Sequence, residues 1–479
     1  MREYLFLLIF LLSATSPCRA QDANYWSSNY GPGGFLTPGA TLSNNRDSGL
    51  FFFNPALLGY STHSSAAVSG TIYQYRATNI RNGVGQGLDL KSSGGSVIPQ
   101  MVSSNISLKL KGRPVTIAYA LIHEPTMSFQ TTQRRDARFQ VLSDAYSPGP
   151  EYFLGQYAQS NNIDLTTGVL SVGTLLTPKL AVGFSIEGNI RKQVYNGSYS
   201  ARALINAGTD TLFRPIASSE ETYQVNYTHF GLRFKGGIAY DIDEQNHIGL
   251  TISSPMVHLG GSGTLVSDNQ VNNLHLDTLF NFYLLASTRQ TGLTPRYKMP
   301  VSFALGYTWH ADKMELYFSS EYFFRIKTYN IITPRNDYFI RPDTANNAAT
   351  SDLLKFVDGR TAIFNLAAGM SYNFTPVVTG YFGVRTDFTY YSADNLKDGN
   401  QSMISQWDQY HSQIGVNVKR RKFNLRAGLL LTYGHTNKYE QPVNFDNPNE
   451  ENLLLGDAHA TKAGVWSAGL LLSYLHNLN

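Results

Sequence analysis

Residues 313–327 read KMELYFSSEYFFRIK and put Met314, Leu316, Phe318, Tyr322, Phe324 and Ile326 on one face, with Lys313, Glu315, Glu321, Arg325 and Lys327 on the other. Alternation with period two over that length is a β-strand with one apolar and one charged side. The pattern returns at Leu180, Val182, Phe184, Ile186 and Ile190 against Ser185, Glu187, Asn189, Arg191 and Gln193. It returns at Phe230, Leu232, Phe234, Ile238 and Tyr240 against Arg233, Lys235 and Asp241, and at Phe423, Leu425, Ala427, Leu429, Leu431 and Tyr433 against Lys422, Asn424, Arg426 and Thr432. Strands of soluble sandwiches average about five or six residues. These run to roughly ten to fifteen, which suits strands with lipid on one side and a lumen on the other.

About fourteen such segments are predicted, starting near residues 64, 101, 113, 163, 179, 226, 246, 300, 313, 361, 377, 409, 422 and 463. No open sheet edge can face hydrocarbon, so an even number of membrane-crossing strands must close on itself. Connections alternate between short and long. The short ones are Gly112, Thr177-Pro178, Asp241 to Gln245, His310 to Asp312, Thr375-Pro376 and Arg420-Arg421, and the long ones are 124–162, 194–225, 255–299, 328–360 and 436–461. Short periplasmic turns and long outer loops are the habit of membrane barrels. The expected fold is all-β: a transmembrane antiparallel β-barrel of about 14 strands.

Composition agrees. The 479-residue chain has a net charge of +4 and 15% charged residues, too few for a disordered or nucleic-acid-binding protein, and its 42% hydrophobic residues form no run long enough for a helical span. Thirty tyrosines, 27 phenylalanines and 41 glycines suit a large β protein. Arg2, the apolar run Leu5 to Leu12 and the small residues around Cys18-Arg19-Ala20 read as a signal peptide cleaved before Gln21, which would remove the only cysteine. Ser16-Pro17 is a poor lipobox, which counts against Cys18 as an acylated first residue. In the last predicted strand Ser467 to Tyr474 place a polar residue, a glycine, an apolar residue and an aromatic at the spacing of a barrel-assembly signal, with Leu472 and Tyr474 on the face shared by Trp466 and Leu470.

Residues 21–62 precede the first strand, are rich in Gly, Pro and Asn, and are too apolar at 50–58 to dangle in water. They are expected to fold into the lumen as a plug and to make an apolar pocket there. The expected organisation is a signal peptide over 1–20, an N-terminal hatch over 21–62 and a barrel over 63–479.

The stretch TPGATLSNNRDSGLFFFNPALLGY, followed by about fourteen amphipathic strands, resembles the FadL family of outer-membrane transporters for long-chain fatty acids and other hydrophobic compounds. Gly39-Ala40, Asp47, Phe53 and Asn54-Pro55-Ala56 stand where that family carries a Gly-Ala segment, an acidic stretch, an aromatic and Asn-Pro-Ala. Leu57 replaces the usual glycine, and the acidic stretch is thinned to Asp47 beside Arg46. The resemblance implies passive uptake by a monomer in the outer membrane of a Gram-negative bacterium. The ligand, a fatty acid or hydrocarbon, would be caught by outer loops, pass a hatch-lined pocket and leave through the wall. The other partners would be membrane lipid, lipopolysaccharide and the barrel-assembly machinery.

Phe51, Phe52, Phe53, Asn54, Pro55 and Ala56 are the candidate hatch and ligand-binding residues. Lumen-facing Arg191, Arg325 and Arg385 are candidates to hold a ligand carboxylate; with Glu187, Arg233, Glu321 and Asp387, such charges more often pair across the lumen and hold the wall. Phe280, Phe282, Tyr283 and Leu284 are a candidate capture surface or an extension of the barrel wall. Scattered histidines, Gly260-Gly261-Ser262-Gly263 and Gly83-Val84-Gly85-Gln86-Gly87 match no metal, nucleophile-elbow or dinucleotide motif, so neither an enzyme nor a cofactor is expected. The alternative to transport is a structural or secretion-associated barrel that serves as a partner platform.

Overall fold

The computed structural model describes residues 23–26, 42–43, 50–61, 63–110, 113–206, 214–276, 279–342, 350–392, 399–400 and 405–478. The signal segment, Gly39-Ala40, Asp47 and the turn at Gly112 lie outside them. The strands are β1 (Ser64–Ile80), β2 (Leu90–Leu110), β3 (Arg113–Phe139), β4 (Glu151–Thr177), β5 (Leu180–Leu204), β6 (Ile216–Asp241), β7 (Asn246–Ser253), β8 (Val257–Leu276) and β9 (Leu279–Leu293). There follow β10 (Ser302–Ala311), β11 (Met314–Phe323), β12 (Ile326–Ile332), β13 (Phe356–Arg360), β14 (Ile363–Asn373), β15 (Val378–Asp387), β16 (Asp408–Lys419), β17 (Phe423–Glu440) and β18 (Ala460–Leu478).

Fourteen of them make one antiparallel ring. Strands β1 to β7 run in order, β7 pairs β10, β10 pairs β11, β11 pairs β14, and β14 to β18 follow in order. The ring closes where β1 pairs β18, from Ser64 opposite Leu478 to Ile80 opposite Ala463. All fourteen predicted segments lie on these strands. The outward face is the apolar one: Phe184, Ile190, Phe230, Phe318, Leu429, Tyr433, Trp466 and Leu470 are exposed there. Among the described residues no helix is long and apolar enough to cross a membrane.

Three of the five stretches expected as long outer loops, 124–162, 194–225 and 255–299, are largely strand. β3, β4, β5 and β6 have 27, 27, 25 and 26 residues, against about 9–11 needed to cross the bilayer. The alternation continues above the membrane with its polarity reversed, which hides it from a search for greasy outer faces. The outward row His123, Thr166, Ile190 and Phe230 marks the change. Below it Tyr119, Leu170, Ile186 and Phe234 point out; above it Gln130, Ser160, Asn196 and Gln224 do. The inner face reverses too, with Phe129, Phe153, Tyr157, Tyr195, Tyr223 and Tyr227 buried in one apolar cluster. Water outside and a packed core inside replace lipid outside and a polar lumen inside.

Four strands stand off the ring. The hairpin β8–β9 pairs on the upper half of β6, and β12 pairs β13. Strand β11 ends at Phe323, so the alternation read through residue 327 breaks there. Outer connections cap the upper core. The Glu450 carboxylate accepts from Ser143 N at 3.0 Å and His275 N at 2.9 Å, and Asp446 accepts from Gln86 N at 2.6 Å and from Arg135.

Glu221 is half-buried inside this upper core, where it accepts a hydrogen bond from Tyr199 Oη at 2.9 Å. Burial outweighs that bond and pushes its carboxyl from about 4.5 up to about 7. A raised carboxyl favours the neutral form in the fold. Its contribution is therefore complete below the unfolded value and is lost as pH rises through about 7. Glu221→Gln should flatten this dependence and raise stability near pH 8 by on the order of 1 kcal/mol. Melts of both proteins at acid and alkaline pH check this; identical pH sensitivity would refute the assignment.

Candidate functional site

The run Phe51 to Ala56 lies inside the ring. Pro55–Tyr60 form a 3-10 turn whose N-cap, Asn54, has φ −139° and ψ 108° and accepts from Ala56 N at 3.0 Å. Proline suits the first turn, where its missing N–H is not needed. The Asn54 Nδ2 donates to the carbonyls of Leu42 at 2.8 Å and of Ile238, on β6, at 3.1 Å. One fully buried amide thus joins two parts of the N-terminal segment to each other and to the wall.

The wall is hollowed to receive it. Gly173, Gly183 and Gly237 stand in register on β4, β5 and β6. A Cβ at Gly183 would lie 2.2 Å from the Pro55 carbonyl carbon, and one at Gly237 2.1 Å from Asn54 Oδ1. Gly249 on β7 similarly takes the Leu42 carbonyl, at 2.0 Å from a notional Cβ. At these positions the wall backbone meets the segment's backbone or the Asn54 amide with no room for a side chain.

The three phenylalanines divide in use. Phe51 is buried with Leu58, Met101, Ala118, Ile122 and Val169, and so packs the turn on β2 to β4. Phe52 and Phe53, edge to face with centroids 5.7 Å apart, line a lumen cavity of about 160 Å³. Its opposite side is built on residues 23–26. The Asp387 carboxylate, at the end of β15, accepts from Tyr25 N at 3.0 Å and Trp26 N at 2.9 Å. Trp26 Nε1 donates to Glu321 at 2.8 Å, and Gln409 donates to Asn24 at 2.7 Å. Tyr25 stacks on Phe323 with centroids 4.1 Å apart.

Between these two sides the cavity is aromatic and cationic. Arg360 lies 4.6 Å from the Tyr390 ring and 5.0 Å from Tyr297, and it pairs with Asp358 at 3.1 Å. Lys235 pairs with Glu187 at 2.8 Å, donates to the Phe52 carbonyl at 2.7 Å and lies 4.3 Å from the Phe52 ring. Arg191 is held by Tyr227 Oη at 3.1 Å and lies over Tyr297 at 4.2 Å. Arg233 donates to the carbonyls of Ser254 at 3.1 Å and Pro300 at 3.2 Å. Neither Arg191 nor Arg233 has a carboxylate partner among the described residues. An acceptor placed in the cavity therefore meets two guanidinium groups not already committed to carboxylates.

Of the three arginines read as candidates for a carboxylate, Arg191 and Arg385 line the cavity, whereas Arg325 is exposed beyond the end of β11. The candidate capture residues stand on β9, which extends the wall: Leu284 is buried in the upper core, Tyr283 is exposed and Phe282 packs against the core. The Phe280 side chain lies outside the described residues. Arg360 and Tyr297 were not anticipated, because they stand in stretches read as loops, 328–360 and 255–299, and Tyr390 lies beyond the end of β15. The signal that could have found them is aromatic and arginine content inside an otherwise polar segment.

No protein-family model and no curated protein matches this chain. Solved structures do. A Pseudomonas aeruginosa FadL homologue superposes with a TM-score of 0.57 at 11% identity, over 95% of this chain and 100% of that one. The fold is that of the FadL-type channels. The Ralstonia pickettii toluene transporter TbuX gives 0.54 at 13% identity, over 95% and 99% of the two chains. The Pseudomonas putida toluene transporter TodX gives 0.55 at 12%, over 94% and 98%. A closed barrel of this kind with an apolar outer band is an outer-membrane protein.

Gly183→Val should push the turn at Pro55 off the wall, while Gly188→Val, on the lipid face with only contacts at 3.9 Å, should not. Single-channel recording in planar bilayers is expected to show raised conductance for the first variant alone. Equal conductance in both would mean that the glycine row does not seat the segment.

Proposed function

We propose that the protein is an outer-membrane channel for passive uptake of small hydrophobic molecules, with residues 21–62 as its hatch and the cavity behind Phe52 and Phe53 as its ligand pocket. The observation that carries this reading is the cavity itself, enclosed between Phe52, Phe53, Tyr25 and Trp26 on the N-terminal segment and the inner wall. Lipopolysaccharide obstructs direct partitioning of apolar molecules, and transfer into such a pocket is favoured by about 0.8 kcal/mol per buried methylene.

The size of the cavity narrows the ligand. At about 160 Å³ it matches in volume, though not in its partly charged lining, an engineered apolar cavity of about 150 Å³ that admits benzene. That supports a compact ligand of one ring over an extended acyl chain, in keeping with the toluene transporters that share the fold. Arg191 and Arg233 would receive a polar end if the ligand has one. The capped outer mouth, closed by Glu450 and Asp446, favours the second reading, a partner platform whose pore stays shut.

Uptake by cells or liposomes separates the two. Labelled toluene and a labelled long-chain fatty acid should be offered to the wild type, to a Phe52→Ala/Phe53→Ala variant and to a variant lacking residues 21–60. Toluene uptake should exceed that of the fatty acid and fall about tenfold in the double variant, the effect of removing about 1.4 kcal/mol of ligand contact. If the wild type passes neither probe above empty vesicles, the channel reading is abandoned for the platform.

A further inference from the structure

The outer surface of β3 to β6 above the bilayer is a broad sheet face without a partner among the described residues. Thr132, Ala158, Ser198 and Thr222 form one row in register across the four strands. Their short side chains make the floor of a groove of about 610 Å³. The next row supplies Arg134, Gln156, Ser200 and Glu220, which edge the groove with donors and acceptors.

Charge at the groove itself is closed off within the protein. Arg202 grips Glu220 through two bonds of 2.7 and 3.0 Å, and Arg134 pairs with Asp136 at 3.0 Å. Higher up, Arg138 lies 4.0 Å from the Tyr152 ring. At the groove the surface therefore offers hydroxyls, amides and planar ion pairs, and Arg138, which has no carboxylate partner among the described residues, stands four residues beyond Arg134, outside the groove.

Height decides what meets it. Four residues beyond the isolated outward Val194, Ser198 stands eight residues beyond Ile190, the β5 member of the boundary row. That is about 27 Å along the strand, or roughly 20 Å above the hydrocarbon once a tilt of about 40° is counted. Lipid phosphates lie below this level, and the sugar chains of an outer-leaflet glycolipid lie at it. Behind the groove, Tyr157 and Tyr199 are locked in the upper core, so its floor is rigid.

We infer that this groove binds the neutral sugar units of an outer-leaflet glycolipid. Sugar hydroxyls donate and accept at once, as do the serine, threonine and glutamine groups that face them. A hydroxyl bridging Arg202 and Glu220 keeps both partners charged and satisfied. This site is separate from the lumen cavity and does not depend on the transport reading.

The test uses the full protein, folded in detergent, and the water-soluble core oligosaccharide released from rough lipopolysaccharide, intact and dephosphorylated. Calorimetric titration should show binding of both forms, with affinities that agree within about threefold at low and high salt. Ser198→Trp, which fills the floor, should weaken both at least about tenfold, while Val266→Trp, outward on neighbouring β8, should leave them unchanged. Heat-modified gel mobility confirms that each variant is folded. Failure of the wild type to bind, loss of binding on dephosphorylation or at high salt, or an unchanged affinity in Ser198→Trp would each overturn the proposal.

Discussion

Backbone hydrogen bonding in hydrocarbon governs everything else in this molecule. An unpaired peptide group facing lipid costs several kcal/mol, and water is not there to relieve it. The pairing of β1 with β18 removes the last free edge of the ring. Once the ring is closed, each strand has one face in lipid and one in the lumen. The period-two pattern of residues 313–323 is the consequence.

Closure also explains how far the strands were readable. A greasy outer face marks only the part of a strand that lies in lipid, so the fourteen segments appear at their membrane spans, and β4 and β6 look a dozen or so residues shorter than they are. Where the outside is water and the inside is packed aromatic, the alternation persists with its sense reversed. Tyr195 and Tyr199 then fall on the side that Glu187 and Arg191 occupy below. Such a reversal is legible once it is sought. The hairpin β8–β9 is harder, since Asp268, Asn269 and Gln270 leave both faces polar there.

The site was legible in a different measure. A run of three phenylalanines before Asn-Pro-Ala has few places to go except the lumen, and its local turn follows from Asn54 and Pro55 alone. The division of labour between Phe51 and its two neighbours depends on which walls they meet. The glycine row depends on the register of three strands, and a slip of one residue on any of them would turn a glycine to the lipid. The grip of Asp387 on Tyr25 and Trp26 joins residues more than 360 positions apart, which no local pattern reveals.

Those two anchorages lie on opposite sides of the ring. The turn at Asn54 to Tyr60 rests on β4 to β6, strands of the first half of the chain, while residues 23–26 are held by side chains of β11, β15 and β16. The first anchorage can form on an open sheet as soon as β6 is in place. The second has no partner until the late strands curl round to face it. The described residues of the N-terminal segment therefore grip both halves of the ring, and the second grip is complete only when the circle is.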